Sequence, residues 1–217
     1  MKHSHDLREN NNWRMWRFVG ELADSYEKLD GVKGISIFGG HRLDHHSPLY
    51  HDIKQACAKL SNYGYDIITG GGAGVMAAAN EGCQCGMSGK SVGLTVESLG
   101  EGGNPHCDIM MPFKHFAIRK YQFLYHSVAL VFMPGGVGTL DELFTAYCLI
   151  QTKVIPGIPM ICYDSTYWSG LFDWLRHTTC MQHGFMTFEN FGLVEFVDEP
   201  QELVDCIIRS APLDKDM

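Results

Sequence analysis

Two glycine-rich turns, Gly70-Gly71-Gly72-Ala73-Gly74 and Pro134-Gly135-Gly136-Val137-Gly138-Thr139, each close an apolar β-like run and each open a helix-like one. Glycine lets backbone N–H groups approach a ligand closely, and the helix that follows presents its positive end to an anion. The pattern predicts two anion sites for a phosphorylated ligand. A third turn, Phe38-Gly39-Gly40-His41-Arg42, ends an earlier run in the same way. Short β-branched runs recur at Ile35–Phe38, Tyr65–Thr69, Ser91–Thr95, Asp108–Met111, Val128–Met133, Ile158–Tyr163 and Leu193–Val197, with helical stretches between most of them. Continuous apolar strands alternating with helices predict an α/β fold, a Rossmann-like, doubly wound, mainly parallel sheet with helices on both faces. In such folds ligands collect beyond the carboxyl ends of the strands, where all three turns fall. Ahead of the first strand, Trp13–Leu29 places Trp13, Trp16, Val19 or Gly20, and Ala23 on one helical face, which predicts an N-terminal cover helix docked by that face.

With 217 residues and 45% hydrophobic content, the chain can close one full core. A net charge of -8 offers no basic face for a phosphate backbone, so nucleic acid is not expected as a partner. The eight cysteines are scattered from Cys57 to Cys206 without a C-x-x-C pair, which predicts reduced thiols. Met1–Asn12 is polar, and no run approaches the length of a membrane span, so the reading is a cytoplasmic protein without membrane attachment.

The second glycine turn runs directly into Leu140-Asp141-Glu142, which places a carboxylate within a helical turn of the expected phosphate. Taking Leu140, Leu143, Phe144 and Tyr147 as the inward stripe of this helix puts Glu142 on the outer side with Ala146, Leu149 and Lys153. A partly apolar outer face predicts a homodimer whose interface borders the site. Asp141 and Glu142 could also serve only to complement the helix dipole. Their position beside two anion turns singles out Glu142 as the candidate acid, since neighbours on a helix diverge by about 100 degrees and cannot act as a close pair. Arg119-Lys120, amid Phe113, Phe116, Tyr121 and Phe123, supplies a guanidinium able to reach a phosphate or a developing charge.

Two competing patterns have less support. Gly72-x-Gly74-x-x-Ala77 with Glu97 downstream matches a dinucleotide fingerprint, but it follows the second strand and leaves the second turn unexplained. His41, His45, His46 and His51 cluster after the first strand without an i, i+4 pair or an accompanying cysteine, so no metal is expected there. His41 or Arg42 could instead touch the ligand.

Thr69-Gly-Gly-Gly-Ala-Gly-Val-Met76 through Asn80-Glu81-Gly82, Phe116-x-x-Arg119-Lys120, Pro134-Gly-Gly-Val-Gly-Thr-x-x-Glu142 and Gln151-Thr152 together resemble the LOG ("lonely guy") family of cytokinin riboside 5'-monophosphate phosphoribohydrolases, in its bacterial branch, often mislabelled as lysine decarboxylases. The resemblance spans roughly Val32 to Asp198. It implies hydrolysis of the N-glycosidic bond of a nucleoside 5'-monophosphate, AMP-like or a cytokinin riboside monophosphate, by a dimeric enzyme that needs no cofactor or metal. Arg119 and Glu142 take the catalytic positions. Gly39, Gly40, Gly71, Gly72, Gly74, Lys120, Pro134, Gly135, Gly136, Gly138 and Thr139 take the substrate and phosphate positions. Residues 1–30 then form an N-terminal helical extension, and residues 31–211 a single nucleotide-binding catalytic domain. The chain departs from the family pattern at Gly40 of the Gly39-Gly40 turn, at Phe116-Ala117-Ile118 ahead of Arg119, at Ala77 and at Thr145, which bears on base specificity. A nucleotide-binding or sensor protein of the same fold without turnover stays open, and an NAD-dependent enzyme has weaker support. A decarboxylase would need a Schiff-base lysine, and neither Lys120 nor Lys153 lies in a cofactor context.

Overall fold

The computed structural model describes residues 11–97 and 103–213. Seven strands form one sheet in the order β4-β3-β2-β1-β5-β6-β7, and every neighbouring pair runs parallel. These are β1 (Gly34–Phe38), β2 (Asp66–Thr69), β3 (Ser91–Val96), β4 (Ile109–Phe113), β5 (Ser127–Phe132), β6 (Met160–Tyr163) and β7 (Val194–Val197). Each falls on one of the apolar runs read from the sequence. The fold is the Rossmann-like, doubly wound α/β arrangement. From β1 the chain builds outward through β2, β3 and β4, then returns to the other side of β1 with β5. The central strand therefore marks the topological switch, where the crevice of such a sheet opens.

Side-chain alternation along the strands feeds two cores, one on each face. Ile35, Ile37, Ile67 and Val131 pack with residues of α2 (Pro48–Asn62), α3 (Val75–Cys85) and α8 (Pro200–Ser210). Phe38, Ile68, Leu130 and Phe132 pack with residues of α4 (Phe116–Tyr125), α5 (Val137–Gln151) and α6 (Ser165–Trp174). A π-helical segment, Leu175–Gln182, continues α6, and the short α7 (Phe188–Phe191) precedes β7. All eight cysteines are free thiols. Cys83 is buried and Cys85 exposed, so the two point apart along α3.

The N-terminal helix α1 (Asn11–Lys28) is present, but it docks by another face than the sequence pattern predicts. Trp13 and Trp16 are 61% and 66% exposed, and Val19 is also exposed. The buried positions are Ser25, within α1, and Leu29, just beyond it. Polar bonds to α4 and its approach fix this register. Gln122 donates to the Ser25 hydroxyl, Tyr26 donates to the Tyr121 hydroxyl, and the Glu21 carboxylate accepts from the backbone N–H groups of Lys114 and His115. Leu22 and Leu29 pack on the core from this face, a second apolar spacing along the same segment, so periodicity alone could not choose between it and the tryptophan stripe.

Gly74, the N-cap of α3, has φ +65°, and a Cβ there would lie 2.4 Å from the Gly40 carbonyl oxygen. We expect Gly74→Ala to cost about 2 kcal/mol or more in urea unfolding, from the left-handed backbone and the rigid clash combined. Gly20→Ala, within α1 and with nothing near its added methyl, serves as a control expected to be neutral or stabilising.

Candidate functional site

The turns after β1, β2 and β5 meet at the switch point and are joined by backbone hydrogen bonds. Met133 N–H donates to the Phe38 carbonyl at 2.8 Å, Gly40 N–H to the Pro134 carbonyl at 3.0 Å, and Val75 N–H to the Gly40 carbonyl at 3.1 Å. Above this seam lies a cavity of about 250 Å³, lined by Gly39, Gly40, His41, Gly70, Met76, Phe116, Arg119, Phe123, Glu142 and the Gly136–Thr139 start of α5. A small adjoining pocket is lined by Gly71, Gly72 and Thr95 and shares Arg119.

The two long glycine turns are not equivalent. In the first, Gly71 N–H donates to the Thr69 hydroxyl, which itself donates to the Asn80 amide oxygen at 2.6 Å. Asn104 donates to both the Gly72 carbonyl and Asn80. With the Val75 amide already bonded to Gly40, this turn spends much of its hydrogen-bonding capacity on the protein itself. The second turn keeps the first turn of α5 against the cavity, where helix amides lack intrahelical partners. Pro134, Gly135 and Gly74 lie outside the cavity wall and act in the scaffold. A Cβ on Gly135 would meet the Thr139 hydroxyl oxygen at 2.1 Å, and the Gly135 carbonyl accepts from the Tyr167 hydroxyl.

Glu142 is not on an outer face, which corrects the stripe assumed from the sequence. The buried stripe of α5 is Thr139, Glu142, Leu143, Ala146, Tyr147 and Ile150, while Phe144 is 39% exposed. The i, i+3, i+4 spacing holds in both assignments, and only the packing against the sheet decides between them. Glu142 itself is 9% exposed and faces the cavity. Burial pushes its pKa up to about 7, opposed by the nearby charges of Lys120 and Arg119 and reinforced by Asp141.

Arg119 sits across from it. Its Nε donates to the Leu94 carbonyl at 2.7 Å, and the guanidinium lies 5.4 Å from the Phe116 ring centre and 5.2 Å from that of Phe123. Burial lowers its pKa and Glu142 raises it, and arginine stays charged throughout. A Cβ on Gly70 would stand 2.5 Å from an Arg119 terminal nitrogen, so that glycine makes room for the guanidinium. Phe116, Arg119 and Phe123 share one face of α4, a spacing of three and four residues that was readable in the sequence. Met76 carried no comparable signal.

Lys120 is not at the cavity. Its Nζ pairs with Asp141 at 2.6 Å and donates to the Thr145 hydroxyl at 3.1 Å, tying α4 to α5. Of the histidines, His41 lines the cavity, whereas His45, His46 and His51 line a separate one. Glu97, the ribose acid of the dinucleotide pattern, is instead 3.6 Å from Lys114 at the surface.

A Rossmann-like sheet carries a buried carboxylate and a half-buried arginine at its switch point. The family model described as possible lysine decarboxylase matches residues 76–207, and the chain belongs to that family, whose domain is the LOG domain. None of the curated proteins matches the chain by sequence. Among solved structures, it is similar to TM1055 at 23% identity and a TM-score of 0.59, over 82% of this chain and 99% of that one. It is also similar to the molybdenum cofactor binding protein of the phototrophic bacterium Rippkaea orientalis, at 19% identity and a TM-score of 0.61, over 82% and 96%. The Moco carrier protein of Chlamydomonas reinhardtii follows at 16% and 0.58, again over 82% and 96%. These likenesses establish the fold.

A carboxyl group whose folded pKa lies above its unfolded value holds extra protons in the folded state between the two, so its contribution to stability falls as pH rises through that window. For Glu142 the window runs from about 4.5 to about 7. Glu142→Gln should therefore gain on the wild type as pH rises from 5 to 8 in urea unfolding, by about 1–3 kcal/mol at the upper end. A difference that does not vary with pH would contradict the raised pKa.

Proposed function

We propose that the chain hydrolyses the N-glycosidic bond of a nucleoside 5'-monophosphate, an AMP-like nucleotide or a cytokinin riboside monophosphate, to free base and ribose 5-phosphate. The observation that carries this reading is Glu142, buried on the same cavity as Arg119 and the start of α5. The helix start and the glycine backbone would hold the 5'-phosphate. Cleavage of the C1'–N bond gives the ribose oxocarbenium character, and the base leaves with the bonding electron pair and takes up a proton from water, so that the attacking water's OH ends on C1' and a proton on the base. The ionised Glu142 carboxylate would stabilise that cation or take a proton from the water that adds to C1'. Arg119, its guanidinium fixed by Leu94 and two aromatic rings, would meet the phosphate's negative charge and keep Glu142 partly ionised near neutrality. Phe116 and Met76 supply apolar wall for a flat base. Each step uses only side chains, backbone and water.

A homodimer fits the same surfaces, though not for the reason the α5 periodicity suggested, since Ala146 is buried within its own protomer. Val137 (83% exposed) and Phe144 on α5, with Phe116 and Tyr121 on α4, leave apolar area exposed beside the cavity. A second protomer is the proposed cover. Light scattering at micromolar concentration should return twice the chain mass, and a monomer would remove the dimer from this account.

For the reaction, purified protein incubated with AMP, GMP, CMP, UMP and isopentenyladenosine monophosphate should release free base from at least one of them. Glu142→Gln should lower that turnover at least about a hundredfold. Tight binding with every nucleotide recovered intact would replace the hydrolase reading with a nucleotide-binding protein, and undiminished turnover by Glu142→Gln would overturn the role of that residue.

A further inference from the structure

Outside the nucleotide cavity, four histidines converge where the sequence shows no metal-ligand spacing. His45 and His46 from the loop after β1, His51 from α2 and His106 from the loop before β4 line one cavity of about 380 Å³ with Tyr50, Lys54 and Glu81. The lysine and the glutamate there are occupied with each other. Lys54 pairs with Glu81 at 2.7 Å, and the Tyr50 hydroxyl donates to the same carboxylate at 2.9 Å.

Asp44, next to the cavity-lining His45 and His46 in sequence, joins them, and each of the three brings one donor atom to within 4.8 Å of the other two. Asp44 Oδ1 lies 3.6 Å from His45 Nδ1, and the His45 and His46 ring centres are 3.6 Å apart. The His46 backbone N–H donates to the Asp44 carboxylate at 2.9 Å and lowers its pKa. Zinc bonded to imidazole nitrogen and carboxylate oxygen at about 2.0–2.2 Å needs tetrahedral ligand separations of about 3.3–3.6 Å. The Asp44–His45 pair already stands at 3.6 Å, and all three side chains are exposed and free to close the remaining distance. An anion is the poorer tenant, because Asp44 and Glu81 would repel it.

We propose that Asp44, His45 and His46 form a binding site for a borderline divalent cation of the zinc class, with water completing its coordination. Two imidazoles and a carboxylate are the donor set such a cation prefers over magnesium or calcium. The site lies within the loop that runs from Gly39-Gly40-His41, on the nucleotide cavity, to Ser47, the N-cap of α2. A bound cation would pin that loop, and with it His41, from outside the nucleotide cavity. It acts there as a positional tether and takes no part in bond cleavage.

The test is isothermal titration of chelator-treated, tag-free full chain with zinc chloride, alongside thermal unfolding with and without the metal. The expected result is one saturable site per chain and a raised unfolding temperature. The double variant His45→Ala/His46→Ala should weaken binding by more than the roughly tenfold lost when only an outer-shell partner is removed. Because these side chains are exposed, the double variant should unfold at the wild-type temperature in chelator. Absence of saturable binding, or binding unchanged in the double variant, as when exposed Cys85 or Cys148 holds the metal instead, would overturn the proposal.

Discussion

The backbone seam through Gly40 is the constraint on which the site depends. Its N–H is donated to the turn after β5 and its carbonyl accepts from the first residue of α3, so one peptide unit on each side fixes three strand ends relative to one another. Such close approach leaves no room for a side chain at Gly74 and very little at Gly39, where a Cβ would stand 2.6 Å from the Val75 side chain. The glycines that look like a ligand motif in the sequence are thus of two kinds. Gly39, Gly74 and Gly135 are demanded by packing, whereas Gly136 and Gly138, with nothing within 4 Å of an added Cβ, are not. For those two the case for a small residue rests on access by a ligand.

The seam has an electrostatic consequence. It seats the start of α5 against the sheet, so that Glu142 falls on the buried stripe beside Leu143 and Ala146. A carboxylate there loses water, and the two cations of α4 offset only part of that loss. The balance leaves a group near half-ionised at neutral pH, a poise suited to proton transfer and costly to stability when ionised. Lys120 contributes from outside the cavity through its own charge, while it pairs with Asp141. Removing that lysine would act on Glu142 through space and through the α4–α5 tie together.

Much of the fold was legible because most of the seven strands are short, mainly apolar runs bounded by turns, a signal that does not depend on tertiary context. Arg119 and Glu142 were legible as members of spaced motifs, and the structure brings both to one cavity. Orientation around a helix was not. α5 has a largely apolar sequence, so two different stripes satisfy its periodicity, and α1 docks through Ser25, Tyr26 and Glu21 rather than its tryptophans. The polar web of Thr69, Asn80 and Asn104 was likewise invisible, since it joins residues up to 35 positions apart across a loop. Membership of the LOG-domain family and the fold are established by comparison, while the chemistry rests on the state of one acid.

That state can be read directly. Carbon-13 NMR of protein labelled at the glutamate carboxyl, with the Glu142 signal assigned by its loss in Glu142→Gln, follows its ionisation between pH 4 and 9. The account predicts a midpoint near 7. A midpoint at the ordinary glutamate value near 4.5 would mean a solvated carboxylate, and would contradict the buried, poised acid on which the proposed hydrolysis depends.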